Sequence, residues 1–158
     1  MSLVLARIDD RLIHGQVTIG WCSYLNPDRI VLVSDEIAKN EWERELYQSS
    51  VPFNIAVSIY SAKQAAEAII SNAFAPERII LLAESPAVFV QLVKSGAHFI
   101  QINIGGMHFA ENKHQILPYI YLDDNDLQNL LFLAEHDIEL LCQDLPQGKK
   151  ANLLKLIK

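Results

Sequence analysis

The stretch RIDDRLIHGQV at residues 7–17 gathers side chains that could together handle a phosphoryl group. Arg7 and Arg11 carry planar guanidinium groups, whose hydrogen-bond donors suit phosphate oxygens. The imidazole of His14 can act as a base, a metal ligand or a nucleophile. The stretch therefore predicts a phosphate cradle in which His14 could itself be phosphorylated. The alternative without a function is a polar surface loop with an exposed histidine.

The residues beside His14 fit the same chemistry. A helix is predicted to start here, so free backbone N–H groups at Gly15 and Gln16 could bind phosphate, and Gly15 leaves room for close approach. Asp9 and Asp10 could cap the helix, orient His14 or pair with the arginines. A tandem acid pair could also hold Mg²⁺, but the structural roles are favoured.

Two further segments offer possible second-loop contributors. The stretch NIGGMHFAENKHQ at 103–115 ends a predicted strand in two glycines and then supplies His108 and Lys113. Asp35 and Lys39 follow the second predicted strand. For each segment the simpler interpretation is an ordinary turn or a solvated helix start.

Apolar runs and helical periodicity alternate along the chain and define the scaffold. Strands are predicted at 3–8, 29–34, 54–61, 77–85, 98–106, 116–122 and 138–146, and helices at 15–25, 36–50, 62–73, 86–96 and 125–136. In the second helix we expect Ile37, Trp42 and Leu46 to face inward. The pattern predicts a single α/β domain over residues 1–158, with an open, mainly parallel sheet of about six or seven strands and helices on both faces. Ligands of such sheets bind beyond the carboxyl ends of the strands, where residues 9–15 lie.

Composition excludes several classes of function. The 158 residues are 51% apolar and carry a net charge of −6, without a basic stripe, so we expect no nucleic-acid partner. The two cysteines have no metal-ligand spacing, and we predict neither a metal nor a cofactor. No signal peptide or membrane span is expected, which favours a cytoplasmic location.

Three blocks resemble the IIB component of the mannose/fructose/sorbose family of the bacterial phosphoenolpyruvate-dependent sugar phosphotransferase system. They are ARIDDRLIHGQVTIGW at 6–21, VLVSDEIAKNEWE at 31–43 and INIGGMHFAENKHQI at 102–116. The resemblance implies a phosphotransferase in which His14 is transiently phosphorylated. It also implies phosphate stabilisation by Arg7 and Arg11 and an orienting role for Asp9 and Asp10.

The resemblance also implies partners. A IIA component would donate the phosphoryl group from a phosphohistidine, and the membrane components IIC and IID would bind the sugar that receives it, so that the chain would associate peripherally with the membrane. No IIA-like segment precedes the blocks, so the donor is expected on a separate polypeptide or domain. A homodimer is possible. The sugar, which the family varies among mannose, fructose, sorbose and N-acetylgalactosamine, cannot be read from the chain.

One position departs from the family pattern. Asn112 stands where relatives often have glycine, although Asn tolerates the left-handed conformation.

The main alternative function is a non-catalytic phosphate-sensing or regulatory module of the same fold. A receiver-like domain phosphorylated on aspartate would need an aspartate after the third strand and a lysine after the fifth, which are absent here. A dinucleotide-dependent enzyme would need a G-x-G-x-x-G turn.

Overall fold

The computed structural model describes residues 2–157 and contains nine strands and seven α-helices over that range. The strands are β1 Ser2–Asp9, β2 Arg29–Val33, β3 Ala56–Tyr60, β4 Arg78–Ala83, β5 Gln101–Gly106, β6 His114–Leu117, β7 Ile120–Leu122, β8 Glu139–Cys142 and β9 Ala151–Asn152. The helices are α1 Cys22–Leu25, α2 Asp35–Lys39, α3 Glu41–Ser49, α4 Ala62–Ser71, α5 Pro86–Lys94, α6 Asp124–Glu135 and α7 Leu153–Leu156. A π-helical segment, Gln16–Trp21, leads directly into α1.

Seven strands form one sheet in the order β3-β2-β4-β1-β5-β8-β9, which confirms the predicted α/β class. All neighbours are parallel except the short edge pair β8–β9. Strand β1 lies at the centre, between β4 and β5. The first strand-to-helix loop therefore leaves the middle of the sheet at its carboxyl end, where open sheets of this type bind ligands.

Both faces of the sheet are covered, as the continuous apolar strands predict. Val31 and Val33 of β2 point into one core with α5 and α6, whereas Ile30 and Leu32 point into the other. This second core contains Leu12, Ile13, Val17, Trp21 and Cys22 from the first loop and the helix that follows it. The loop is thus fixed to the sheet by buried apolar side chains on either side of His14.

The predicted helix over 36–50 is wrong in two respects. Asn40 interrupts it with an extended backbone and caps α3 through its side chain, which accepts from the Glu43 N–H. The break rotates the second half, so Trp42 is 69% and Leu46 50% exposed rather than inward-facing. Ile37 is buried as predicted. The cap was visible in the sequence as Asn followed three residues later by Glu.

The predicted strand over 116–122 is instead a hairpin outside the main sheet. Strands β6 and β7 pair antiparallel, and Pro118 lies in the turn between them because it cannot donate to a ladder. The chain end, whose docking the sequence did not decide, adds β9 to β8 and buries Leu153 completely. Within residues 2–157 no helix combines the length and apolarity needed to cross a bilayer.

Candidate functional site

Asp9, the last residue of β1, is the centre of the candidate site. Its carboxylate is fully buried and accepts hydrogen bonds from three charged or chargeable side chains. Oδ2 lies 3.0 Å from Arg7 Nη2 and 2.9 Å from His14 Nε2, and both carboxylate oxygens accept from the Arg11 guanidinium at 3.1 Å. The structure therefore brings together four of the predicted site residues, Arg7, Asp9, Arg11 and His14.

The double glycine at the end of β5 makes room for this cluster. The β1–β5 register slips by one residue, so that Asp9 faces Gly106 and Gly105 bulges out. A Cβ on Gly105 would overlap the Arg7 guanidinium, and one on Gly106 would lie 2.9 Å from Asp9 Oδ1. The glycines thus allow a charged side chain to pass directly over the backbone of a neighbouring strand.

Arg7 is fully buried, which differs from its expected place against a phosphate. Nη1 donates to Asn103 Oδ1 at 2.6 Å and to the Gln143 carbonyl at 3.0 Å. Nη2 donates to Asp9 and to the Asp144 carbonyl, both at 3.0 Å. Among the described residues its Nε has no partner. The guanidinium therefore has no open face towards His14 and acts on the site through Asp9.

Asn103, Gln143 and Asp144 complete the site and were not singled out from the sequence. The Gln143 side chain, 5% exposed, donates to the carbonyls of Pro146 and Gly148 and so shapes the 144–148 turn. An asparagine inside the otherwise apolar run INIGG was the available signal, because a buried amide needs polar partners.

Arg11 is the exposed cation of the site. A third of its side chain is accessible. Its Nη2 also donates to Gln16 Oε1 at 2.6 Å, and its backbone N–H donates to Asp9. The guanidinium is therefore held on one side by Asp9 and Gln16 and presents its remaining surface to solvent beside His14.

His14 has one nitrogen engaged strongly and one engaged weakly. Nε2 lies 2.9 Å from the Asp9 carboxylate, whereas Nδ1 lies 3.3 Å from the Gln16 backbone N–H. A carboxylate can only accept, so the neutral ring carries its proton on Nε2 and its lone pair on Nδ1; this tautomer is assigned from the hydrogen bonds. With 18% of the side chain exposed, Nδ1 is the ring nitrogen whose lone pair could act as a nucleophile.

The charges of the cluster reinforce one another. Burial by itself would raise the pKa of Asp9, but hydrogen bonds from His14 and Arg11 and the charge of Arg7 outweigh it, and the pKa falls well below its usual range. Burial lowers the pKa of Arg7 while Asp9 opposes that shift. Two cations on one carboxylate leave the base of the loop net positive beneath His14.

The backbone of the loop is held in an unusual conformation. Leu12 adopts a left-handed φ of 60°, although its side chain is buried, and its N–H donates to the Asp9 carbonyl. Such a conformation costs a branched residue about 1–3 kcal/mol and persists only where the surroundings enforce it. Gly15, by contrast, has a helical φ and open space where a Cβ would stand. The turn fixes His14 while leaving the approach at Gly15 clear.

Asp10 points away from this cluster and joins the second loop. Its carboxylate accepts from the His108 backbone N–H and pairs with His108 Nδ1, both at 2.6 Å. Its own N–H donates to the Gly106 carbonyl. Of the proposed second-loop contributors, His108 is thus the one that the structure connects to the first loop.

The other proposed contributors are engaged elsewhere. Lys113 forms an ion pair with Asp126 at 3.0 Å, in the first turn of α6. Asp35 and Lys39 follow β2, which β4 separates from β1, and Asp35 accepts from the Ala62 N–H. None of the three contacts the His14 cluster. Asn112 adopts a left-handed φ of 68°, so the turn survives the departure from glycine as predicted.

The two cysteines are buried and lie outside this cluster. Burial raises the pKa of Cys22 to about 11 and that of Cys142 to about 12, so both thiols stay protonated. Across residues 2–157 no three His, Cys, Asp or Glu side chains are placed to hold a metal ion. Trp21 packs in the core, and its Nε1–H donates to the Asp144 carbonyl at 2.9 Å. This hydrogen bond fixes the π-helical segment Gln16–Trp21 to the 144–148 turn beside the site.

Known proteins similar to this chain come from one family. Residues 3–158 match the family described as the PTS system sorbose subfamily IIB component. The chain belongs to this family. The IIB chain is 32% identical, over all 158 residues and 97% of the relative, to the fructose-specific EIIB component of Bacillus subtilis. It is 29% identical to the N-acetylgalactosamine-specific IIB component 1 of Escherichia coli, with 96% of each covered.

A solved relative has the same fold. The IIBSor domain of the sorbose permease from Klebsiella pneumoniae matches with a TM-score of 0.92 at 30% identity, covering 99% of this chain and 96% of that one. These relatives are named for three different sugars, and this IIB chain resembles all of them to a similar degree. The family resemblance read from the sequence is therefore confirmed, and the chain is a component of the sugar phosphotransferase system.

Proposed function

We propose that this IIB chain is a phosphoryl carrier that accepts a phosphoryl group on Nδ1 of His14 and passes it to a sugar. The observation that carries the proposal is the contact between Asp9 Oδ2 and His14 Nε2 at 2.9 Å, with Nδ1 left to a weak donor. A fixed tautomer directs the lone pair outward, as a nucleophile requires.

The donor is a phosphohistidine of a IIA component. The P–N bond of the donor breaks as a P–N bond to His14 Nδ1 forms, and the donor's lone pair returns to its own ring. No net proton moves, because Asp9 keeps the proton of His14 on Nε2. The carboxylate also stabilises the positive charge that the ring gains when Nδ1 is phosphorylated.

The loop supplies the counter-charge for the phosphoryl oxygens. Arg11 is the cation with free surface beside His14, and the Gln16 N–H is released from Nδ1 when phosphate replaces it. Arg7 acts as a positioning residue that fixes Asp9. One exposed guanidinium, that of Arg11, and the backbone N–H donors of the loop can bind a phosphoryl group and still allow its transfer.

The acceptor is the hydroxyl of a sugar bound by the membrane components IIC and IID. Its oxygen forms the new P–O bond as the P–N bond to His14 breaks, and the hydroxyl proton leaves to a base in the acceptor site. The carrier must meet two partners in turn, and a partly exposed His14 at the carboxyl end of the central strand suits that sequence. The chain would then work at the cytoplasmic face of the membrane.

The experiment is the intact mass of the chain after incubation with phosphoenolpyruvate, the two general phosphotransferase proteins and a IIA component. We expect one added phosphoryl group that is stable in base and lost in acid, and none in His14→Ala. An unmodified wild-type chain beside a phosphorylated IIA would contradict the proposal and favour a phosphate-sensing module. A base-labile adduct would instead indicate an aspartyl phosphate.

A further inference from the structure

A groove at the carboxyl ends of β2 and β3 lies outside the His14 cluster. A cavity of about 510 Å³ is lined by Lys39 of α2, Lys63 of α4 and Lys94 of α5, together with polar side chains. Three lysines from three helices line this cavity in a chain whose net charge is −6. Like charges that converge without a counter-ion repel one another, so the arrangement favours an anion.

The lysines are not neutralised by the protein. Among residues 2–157 none of the three forms an ion pair with a carboxylate. The Nζ of Lys94 lies 5.3 Å from the centre of the Phe132 ring, a cation–π contact that leaves its positive charge in place. Asp35 is the single acid lining this cavity, and its Oδ1 accepts from the Ala62 N–H at 2.8 Å. The cavity is therefore net positive.

The groove continues into a smaller cavity of opposite character. This cavity, about 170 Å³, shares Asp35 and Gln91 with the first and adds Glu36 and Glu84. Carboxylates accept hydrogen bonds from hydroxyl groups and repel a second anion. One end of the groove thus suits a phosphate and the other a set of hydroxyls.

We propose that this groove binds a small phosphorylated polyhydroxyl compound, a sugar phosphate, with its phosphate against the three lysines and its hydroxyls against Glu36 and Glu84. The combined volume is sufficient for a monosaccharide phosphate, and the position fits the general rule for ligands of open α/β sheets. The site is separate from phosphoryl transfer at His14, since β4 lies between the two loops.

The test is a titration of the ¹⁵N-labelled chain with fructose 6-phosphate as probe, at about 0.15 M salt to screen diffuse attraction. We expect saturable shifts at residues 35–39, 61–63 and 91–95 with a Kd below about 1 mM, and binding about tenfold weaker for fructose or inorganic phosphate. Shifts that do not saturate, or equal affinity for any small anion, would overturn the proposal.

Matched variants locate the ligand. Lys63→Gln combined with Lys94→Gln should weaken binding about tenfold, whereas Lys155→Gln in α7 should not. Glu84→Gln should weaken fructose 6-phosphate but not inorganic phosphate. Both lysines are exposed, so the variants are expected to fold, as their ¹⁵N spectra will show. Binding that survives the lysine variants and is lost in Arg11→Gln would place the ligand at His14 and refute the groove. No phosphoryl donor is needed, so this outcome is independent of His14 phosphorylation.

Discussion

Asp9 and Asp10 are adjacent in the chain, and each contacts one histidine, yet they form two different kinds of pair. The Asp9 carboxylate has no exposed surface and binds Arg7, Arg11 and His14. Asp10 and His108 remain 33% and 46% exposed and contact only each other through their side chains. Successive side chains at the end of a strand point to opposite sides, so the Asp9 carboxylate lies in the core and the Asp10 carboxylate faces solvent.

Burial decides what each pair can do. A buried carboxylate with two guanidinium partners is locked in one ionisation state, and so it can fix the tautomer of His14. An exposed pair is screened by water and contributes little to stability. The same Asp–His contact therefore orients the proposed nucleophile in one case and joins two loops in the other.

Removing the charge of Asp9 should have the largest effect. Asp9→Asn leaves the buried Arg7 guanidinium without its counter-ion, and we expect unfolding free energy to fall by about 3–5 kcal/mol. The folded fraction should also accept phosphoryl groups more slowly, because either nitrogen of His14 can then carry the proton. Urea unfolding and single-turnover transfer measure the two effects. A stability loss below about 1 kcal/mol would refute the role of Asp9 as the counter-ion of Arg7.

Filling the space above Arg7 should have the next largest effect. A Cβ on Gly105 overlaps the guanidinium, so Gly105→Ala must displace Arg7 or the strand, at a cost of about 1–3 kcal/mol. Gly15→Ala is the matched control, since nothing lies near its Cβ position. Equal stability of the two variants in thermal unfolding would show that the close approach at Gly105 is unimportant.

Acid should reveal the contribution of the buried Asp9 carboxylate to stability. The pKa of Asp9 is lowered in the folded state, so its contribution is full above the unfolded value near 3.9 and is lost as pH falls towards the lower folded value. We expect the wild type to lose stability between about pH 5 and pH 2 more steeply than Asp9→Asn. Parallel curves for the two proteins, from urea unfolding at each pH, would contradict the assignment.

Breaking the exposed pair should have the smallest effect. Asp10→Asn and His108→Gln should each change unfolding free energy by less than about 1 kcal/mol, as for other solvent-screened ion pairs. Denaturant midpoints of both variants check this. A loss as large as that of Asp9→Asn would mean that the two pairs are energetically alike and that the comparison fails.

The sequence predicted the scaffold because apolar runs and turn residues are local signals. It also predicted the first loop and Asn112's left-handed turn. Arg7 was the chief surprise: an arginine at a strand position was expected at the phosphate, and only the packing over Gly105 shows that it is buried. Lys113 was likewise assigned by position, whereas its partner Asp126 lies in a later helix. Contacts between distant segments carry no local pattern.

The most direct test of the account is the identity of the phosphorylated nitrogen of His14. ¹H–¹⁵N correlation spectra of the chain, labelled at histidine and phosphorylated by its donor, distinguish the two isomers by the coupling and shift of each ring nitrogen. The contact between Asp9 and Nε2 predicts phosphate on Nδ1, with the Nε2 proton retained. Phosphate on Nε2 would require that contact to break and would contradict the role assigned to Asp9.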